Sequence, residues 1–266
     1  MSIKKYLRER FFPHMWCPGC GHGIVLNAML RAIQKLGLNK NDIVMVSGIG
    51  CSSRISGYVD FHTLHTIHGR ALAFATGVKM SRPELNLIVP MGDGDALSIG
   101  GNHFIHAARR NIDITAIVMN NRIYGMTGGQ YSPLSGYGTS ATTAPYSNID
   151  HAFDVVKLAE SAGASFVART TVYHVQQLAD IIRQAIEHKG FSVVEALTQC
   201  PTYFGRKNRL GSAADMMRHF KDHTTPIGSK AKQENPELIE RGVFVRKDTP
   251  EYCQEYEKVI QRAMKG

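Results

Sequence analysis

The residues with chemistry to offer are cysteines, aspartates and asparagines set beside glycines. "WCPGCGHG" holds Cys17 and Cys20 as a C-x-x-C pair, Cys51 follows the glycine turn "GIG", and Cys200 lies in "TQCPTY". Thiolates so placed serve as a redox dithiol, a zinc site or the ligands of a 4Fe–4S cluster, and the residues alone leave all three open. Cys17 and Cys200 precede proline, a neighbour also found in ferredoxin-type cluster runs. The plain alternative makes Cys51 and Cys200 small buried apolar groups.

In "GDGDALSIGGNHF", Asp93 and Asp95 stand among glycines directly after the apolar run "LNLIVPM". Acidic residues suit a phosphate site only when a cation intervenes. The stretch lacks the third glycine of G-x-G-x-x-G, and the chain contains no G-x-x-x-x-G-K-[ST] string. Asp93 follows one strand pattern and Asn121 ends the next, after an intervening helix. Two neighbouring parallel strands would then present a carboxylate and an amide oxygen together. With a backbone carbonyl, these suit octahedral Mg²⁺, which can bridge to a diphosphate, while glycines let the backbone approach closely. The competing reading makes both residues ordinary turn and strand-end groups. For Asp95, support of a ligand shell and hydrogen bonding within the loop are both open.

The elements that must position these residues follow from periodicity. His22–Gly37 has helical apolar spacing and a terminal glycine, and Asp42–Gly50 reads as a buried strand. Gly69–Arg82 reads as a helix, "LNLIVPM" as a strand, "LSIGGNHFIHAARRN" as one helix and Asp113–Asn121 as a strand. Val172–Gly190 is an amphipathic helix, and "FSVVEAL" a strand. Near-continuous apolar strands alternating with helices predict an α/β fold, a doubly wound parallel sheet with ligands beyond the strands' carboxyl ends. Gly125–Asn148 reads as a long functional loop. Residues 1–203 are taken as the binding domain. Residues 204–266 are taken as a charged C-terminal extension over the core or a partner, with "KQENPE" a turn or helix start.

Composition sets the outer limits. The 266 residues are 43% hydrophobic and 20% charged, as in an ordinary globular protein. No run approaches the length of about 18 apolar residues that a membrane span needs. The start "MSIKKYLRERFF" lacks a signal-peptide apolar region, so a cytoplasmic location is expected. A net charge of +9 is dispersed rather than gathered, and no nucleic-acid-binding motif accompanies it. It fits an acidic protein partner or an anionic cofactor better than a nucleic acid. An odd count of 5 cysteines without a secretion signal favours metal or redox use over disulfides.

"GDG" followed one strand–helix–strand unit later by "NN" resembles the thiamine diphosphate signature. By that resemblance Asp93, Asn121 and the carbonyl of Ile123 hold Mg²⁺. The strings "CPGCGHG", "GIGCSSR", "HTIHGRALAFATGVK", "GDGDALSIGGNHF", "NNRIYGMTGGQYSP" and "CPTY" together closely resemble the beta subunit of 2-oxoacid:ferredoxin oxidoreductases. "GCSSR" and "HGRA" look most like the 2-oxoglutarate type. The resemblance implies oxidative decarboxylation of a 2-oxoacid, with coenzyme A accepting the acyl group and ferredoxin the electrons. It assigns Cys17, Cys20, Cys51 and Cys200 to one 4Fe–4S cluster and leaves Cys253 a bystander. Gly50, Ser52, Ser53, His68, Gly92, Asp93, Gly94, Asp95, Asn121, Ile123, Tyr124, Gly125, Met126 and Thr127 are the expected cofactor contacts.

His68 is the histidine expected at the reacting centre, ahead of His22 and His65. Arg54, near Cys51, is expected to clamp the distal carboxylate of 2-oxoglutarate, with a structural ion pair as the alternative. The strand–glutamate segment that binds the pyrimidine ring in thiamine enzymes is not recognisable here. The family places it on an alpha subunit, which implies an active site at a subunit interface in an (alpha–beta)2 heterotetramer. Pyruvate or branched-chain substrates, a non-redox decarboxylase subunit with structural zinc, and an electron-transfer module are the competing functions.

Overall fold

The computed structural model describes residues 3–266. Ten strands alternate with helices: β1 (Ile43–Ser47), β2 (His62–His65), β3 (Asn86–Gly92), β4 (Thr115–Asn120), β5 (Ile123–Tyr124), β6 (Gln130–Tyr131), β7 (Phe166–Thr171), β8 (Ser192–Leu197), β9 (Thr224–Pro226) and β10 (Ile239–Arg246). The helices are α1 (His22–Leu36), α2 (Ala71–Ser81), α3 (Asp93–Leu97), α4 (Gly101–Arg110), α5 (Val155–Ser161), α6 (Val175–Glu187), α7 (Ala213–Asp222), α8 (Lys230–Glu234) and α9 (Tyr252–Lys265). Eight strands form one sheet, ordered β2-β1-β3-β4-β8-β7-β10-β9, and β5 and β6 pair apart from it.

Each sheet face is covered, as the apolar strands predict. On one side α1 and α6 press Val25, Met29, Ile33, Leu178 and Ile182 against Ile88, Ile117 and Val194. On the other, residues of α2, α4 and α5 pack against Leu87, Val89, Ala116, Val118 and Val193. Neighbouring strand residues thus enter opposite cores, the period of two that a strand imposes. α1 ends as its sequence suggests, with Gly37 left-handed at φ 65°.

The strand order creates the site. From β1 the chain steps outward to β2, then crosses back to β3 on the other side of β1. β1 and β3 are therefore a topological switch point, where the loops leaving the two strands diverge and open a crevice. β1, β3, β4 and β8 run parallel, so "GIGC", "GDGD", "NNR" and "TQC" all emerge at one edge.

Three expectations need correction. The stretch "LSIGGNHFIHAARRN" is not one helix, because the chain breaks at Ser98–Gly100 between α3 and α4. Ser98 leaves the helical region at ψ −99°, and a Cβ on Gly100 would stand 2.2 Å from the carbonyl oxygen of Asp95, so the turn into α4 has room only for glycine there. The long loop after Asn121 contains a small antiparallel ladder that pairs Ile123 with Tyr131. Finally, the charged C-terminal region does more than lie over the core. β10 joins the sheet antiparallel to β7, with Gly242 opposite Arg169, and carries β9 on its outer edge.

Candidate active site

The crevice between β1 and β3 is a cleft lined by residues of four loops. His22, Ile49–Ser52, His68, Gly92–Asp95, Asn121 and Ile123–Thr127 form its walls. All the expected cofactor contacts except Ser53 are among them. Ser53 is buried and belongs to a neighbouring hollow, which Arg54 also lines.

Asp93 stands where β3 meets α3 and is 2% exposed. Its Oδ1 accepts the Gly94 N–H at 2.9 Å, and its Oδ2 accepts the Ser132 hydroxyl at 2.8 Å. Burial pushes the carboxyl up to about 6, against the opposing help of Ser132 and the N–H groups of Gly94, Arg122 and Ile123. Those last contacts bring the "GDG" and "NNRI" turns together, as adjacent strands require. Asn121 is buried and its Oδ1 accepts the Ile123 N–H at 3.2 Å. A buried carboxylate that ionises reluctantly, beside an amide oxygen, is a donor set that a divalent cation would stabilise.

Asp95 ties three loops together. Its Oδ1 accepts the Gly69 N–H at 2.7 Å and the Ile49 N–H at 3.4 Å, and lies 2.8 Å from His68 Nδ1. A Cβ on Gly48 would stand 2.2 Å from Asp95 Oδ2, so only glycine lets the β1 loop pass there. The carboxylate beside Nδ1 attracts the imidazole in its charged form, and Tyr124 packs edge-on against the His68 ring at 5.9 Å. Gly94 likewise has no room for a side chain, since its Cβ would stand 2.0 Å from Tyr124 Cζ.

The four cysteines predicted from motif converge behind the cleft. Cys51 lines it, and a Cβ on Gly125 would stand 3.4 Å from Cys51 Sγ and 3.8 Å from Cys200 Sγ. Burial pushes the Cys20 thiol up to about 12 and Cys51 up to about 11, with the charges of neighbouring cysteines adding to both. Thiols that resist ionisation together are stabilised as thiolates by a positively charged metal group in their midst. Among the described residues, no three His, Cys, Asp or Glu side chains are gathered closely enough to hold a bare metal ion. Cys253 stands apart, near Lys79 and Met80.

Arg54 is exposed, with its Nε 3.0 Å from Met15 Sδ and no carboxylate at ion-pair distance among the described residues. The structural ion pair is therefore not formed within this chain, and neither does Arg54 enter the cleft. His65 turns away too, its Nδ1 3.1 Å from Ser47 Oγ. Two groups had no strong sequence signal. His22 is 1% exposed, lines the cleft, and burial holds its imidazole down at about 4. Ser132 reaches Asp93 from the far strand of the β5–β6 ladder, and only its place in "GGQYSP" hinted at a role.

Comparison with known proteins agrees with this geometry. Residues 48–196 match the thiamine pyrophosphate enzyme C-terminal TPP binding domain. The chain is 52% identical over 253 residues to "2-oxoglutarate synthase subunit KorB" of Methanothermobacter marburgensis, spanning 94% of this chain and 88% of that one. It is 48% identical over 190 residues to the "2-oxoacid:ferredoxin oxidoreductase subunit beta" of Saccharolobus solfataricus, spanning 71% of this chain and 62% of that one. A solved 2-oxoglutarate:ferredoxin oxidoreductase from Magnetococcus marinus, with 2-oxoglutarate, coenzyme A and succinyl-CoA bound, superposes with TM-score 0.90 at 35% identity. That match covers 99% of this chain and 91% of the other. This chain belongs to the beta-subunit family of the 2-oxoacid:ferredoxin oxidoreductases, within the thiamine pyrophosphate enzymes.

Proposed function

We propose that this chain, with an alpha subunit, converts 2-oxoglutarate and coenzyme A to succinyl-CoA and carbon dioxide in the cytoplasm, passing electrons to ferredoxin. The observation that carries the reading is the position of Gly125. It lines the cleft on one side and lies against Cys51 and Cys200 on the other, so a cofactor and a redox centre would be close neighbours. When bound, thiamine diphosphate supplies the carbanion chemistry that releases carbon dioxide, and a 4Fe–4S cluster takes electrons singly.

The chain's own residues have distinct tasks. Asp93 and Asn121, with the Ile123 carbonyl, would hold Mg²⁺, and Ser132 and the Gly94 N–H fix the Asp93 carboxylate. Asp95 holds His68 so that Nε2 can donate a proton to, or accept one from, the reacting oxygen. Gly50, Ser52, Gly92, Gly94 and the Tyr124–Thr127 turn would bring backbone and small side chains against the phosphates. Cys17, Cys20, Cys51 and Cys200 would hold one cluster. Arg54, which has no carboxylate at ion-pair distance among the described residues, would meet the distal carboxylate of the substrate at the subunit interface. Residues 1–203 carry these tasks, with 204–266 as the extension that completes the sheet and faces the partner.

Co-expression with the alpha subunit under anaerobic conditions tests the reading. A brown complex that bleaches on reduction, and reduces a dye only with 2-oxoglutarate and coenzyme A present, is the expected result. Colourless protein containing zinc would overturn it. Arg54→Ala should raise KM for 2-oxoglutarate and leave pyruvate turnover unchanged; equal effects on both would remove Arg54 from substrate selection.

A further inference from the structure

Beside the cysteines lies a surface strip that the cleft does not use. Residues Glu9 to Met15 are exposed in an unbroken row, as are Cys17 to Gly19, with Trp16 alone buried between them. Phe11, Phe12 and Met15 stand along the strip at 47%, 37% and 59% exposure. Arg8, Phe11 and Met15 wall a hollow whose other side includes Arg54 and Tyr58. Arg10 lays its guanidinium over the Phe11 ring at 4.8 Å. Among the described residues neither Arg8 nor Arg10 has a carboxylate at ion-pair distance. The nearby acid, Asp60, is taken by Lys40 at 2.6 Å.

The inner wall of this strip reaches the thiols. Trp16 Nε1 donates to the Cys51 carbonyl at 2.7 Å, and its ring lies 4.9 Å from Tyr58 and 5.0 Å from His14. Phe12 extends the aromatic group outward, 5.4 Å from Tyr58. Of the four clustered cysteines, Cys17 is the exposed one, and it follows Trp16 directly. Arg8 and Arg10 outnumber Glu9 in the strip, and two arginines around exposed apolar side chains make a surface that draws an opposite charge from a distance and offers a dry centre on contact.

We propose that the strip formed by Arg8, Arg10, Phe11, Phe12 and Met15 is the docking face for a small acidic electron-carrier protein, whose redox centre is brought over Cys17. The proposal rests on the oxidoreductase reading above. At each encounter one electron leaves the cysteine-held centre, which is oxidised, and reduces the carrier; no bond or proton is exchanged. Opposite charge sets the encounter rate, and the apolar residues set the lifetime of the complex.

The test uses the complete alpha–beta complex and an acidic two-cluster ferredoxin. Arg10→Glu combined with Phe11→Ser changes two exposed side chains for which no hydrogen bond to the rest of the fold is seen. It is expected to raise both Kd and KM for that ferredoxin at least about tenfold and to flatten their dependence on salt. The rate of 2-oxoglutarate-dependent dye reduction should stay unchanged, and Arg10→Lys should keep most of the affinity. Unchanged Kd and KM with an intact dye rate would overturn the docking face. If that variant folds poorly, Arg10→Glu alone gives an independent reading of the same Kd. Failure of the unmodified complex to reduce dye would count against the oxidoreductase reading instead.

Discussion

Burial at Asp93 sets a stability cost against a function. Moving the carboxyl from its ordinary 3.8 up to about 6 costs the folded, metal-free protein on the order of 3 kcal/mol once the group ionises. The folded state holds a proton that the unfolded state has released, so the loss develops as pH rises from 3.8 through about 6 and is absent below. Asp93→Asn should therefore raise the urea midpoint of the metal-free chain at pH 7.5. The same change should weaken Mg²⁺-dependent thiamine diphosphate binding at least about 100-fold by calorimetry, since even outer partners of a metal ligand are worth 10–100-fold. Gly94 is limited by space rather than charge. An alanine there must displace the Tyr124 ring, so Gly94→Ala should cost about 1–3 kcal/mol and reduce cofactor affinity together.

Elements are joined by two buried polar clusters. Arg169 on β7 bonds Glu195 of β8 at 2.5 Å and Asp154, the N-cap of α5, at 2.6 Å. Glu195 is 2% exposed and also accepts the Asn120 amide at 2.8 Å, just before the metal-site asparagine. Arg169→Met would leave that carboxylate buried without its cation, and a loss of about 3–5 kcal/mol in urea unfolding is expected. Elsewhere, Ser165 bridges His188 Nε2 at 2.7 Å and Asn111 Oδ1 at 2.6 Å, and Asn111 holds Thr249 and Pro250 at the start of the C-terminal segment. Burial, then Arg246, lowers the His188 imidazole below its ordinary 6.5. The unfolded chain then binds the proton more readily, so stability present above pH 6.5 is lost as pH falls below it. His188→Gln should flatten that acid limb in thermal melts across pH 7 to 5.

At the scale of the whole molecule, the cleft is walled on one side and rimmed with exposed apolar groups. Ile67, Ile99 and Met126 are 65%, 49% and 45% exposed around it, a rim suited to a covering subunit. Adding the alpha subunit should slow deuterium exchange at residues 65–70 and 97–101. Much of this design was legible in the chain. Period-two strands, helical repeats and the glycine punctuation after β1 and β3 are local, so the sequence by itself determined the covered parallel sheet and the placing of Asp93 and Asn121 at the ends of neighbouring strands. Long-range relations were not legible. That four separated cysteines meet, that Asp95 ties three loops, that Arg54 stays outside the cleft, and that β10 joins the sheet antiparallel to β7 all depend on strand order. Only the tertiary structure decided these, because strand order is set by which faces pack across the whole sheet, and local periodicity carries no record of a strand's neighbour.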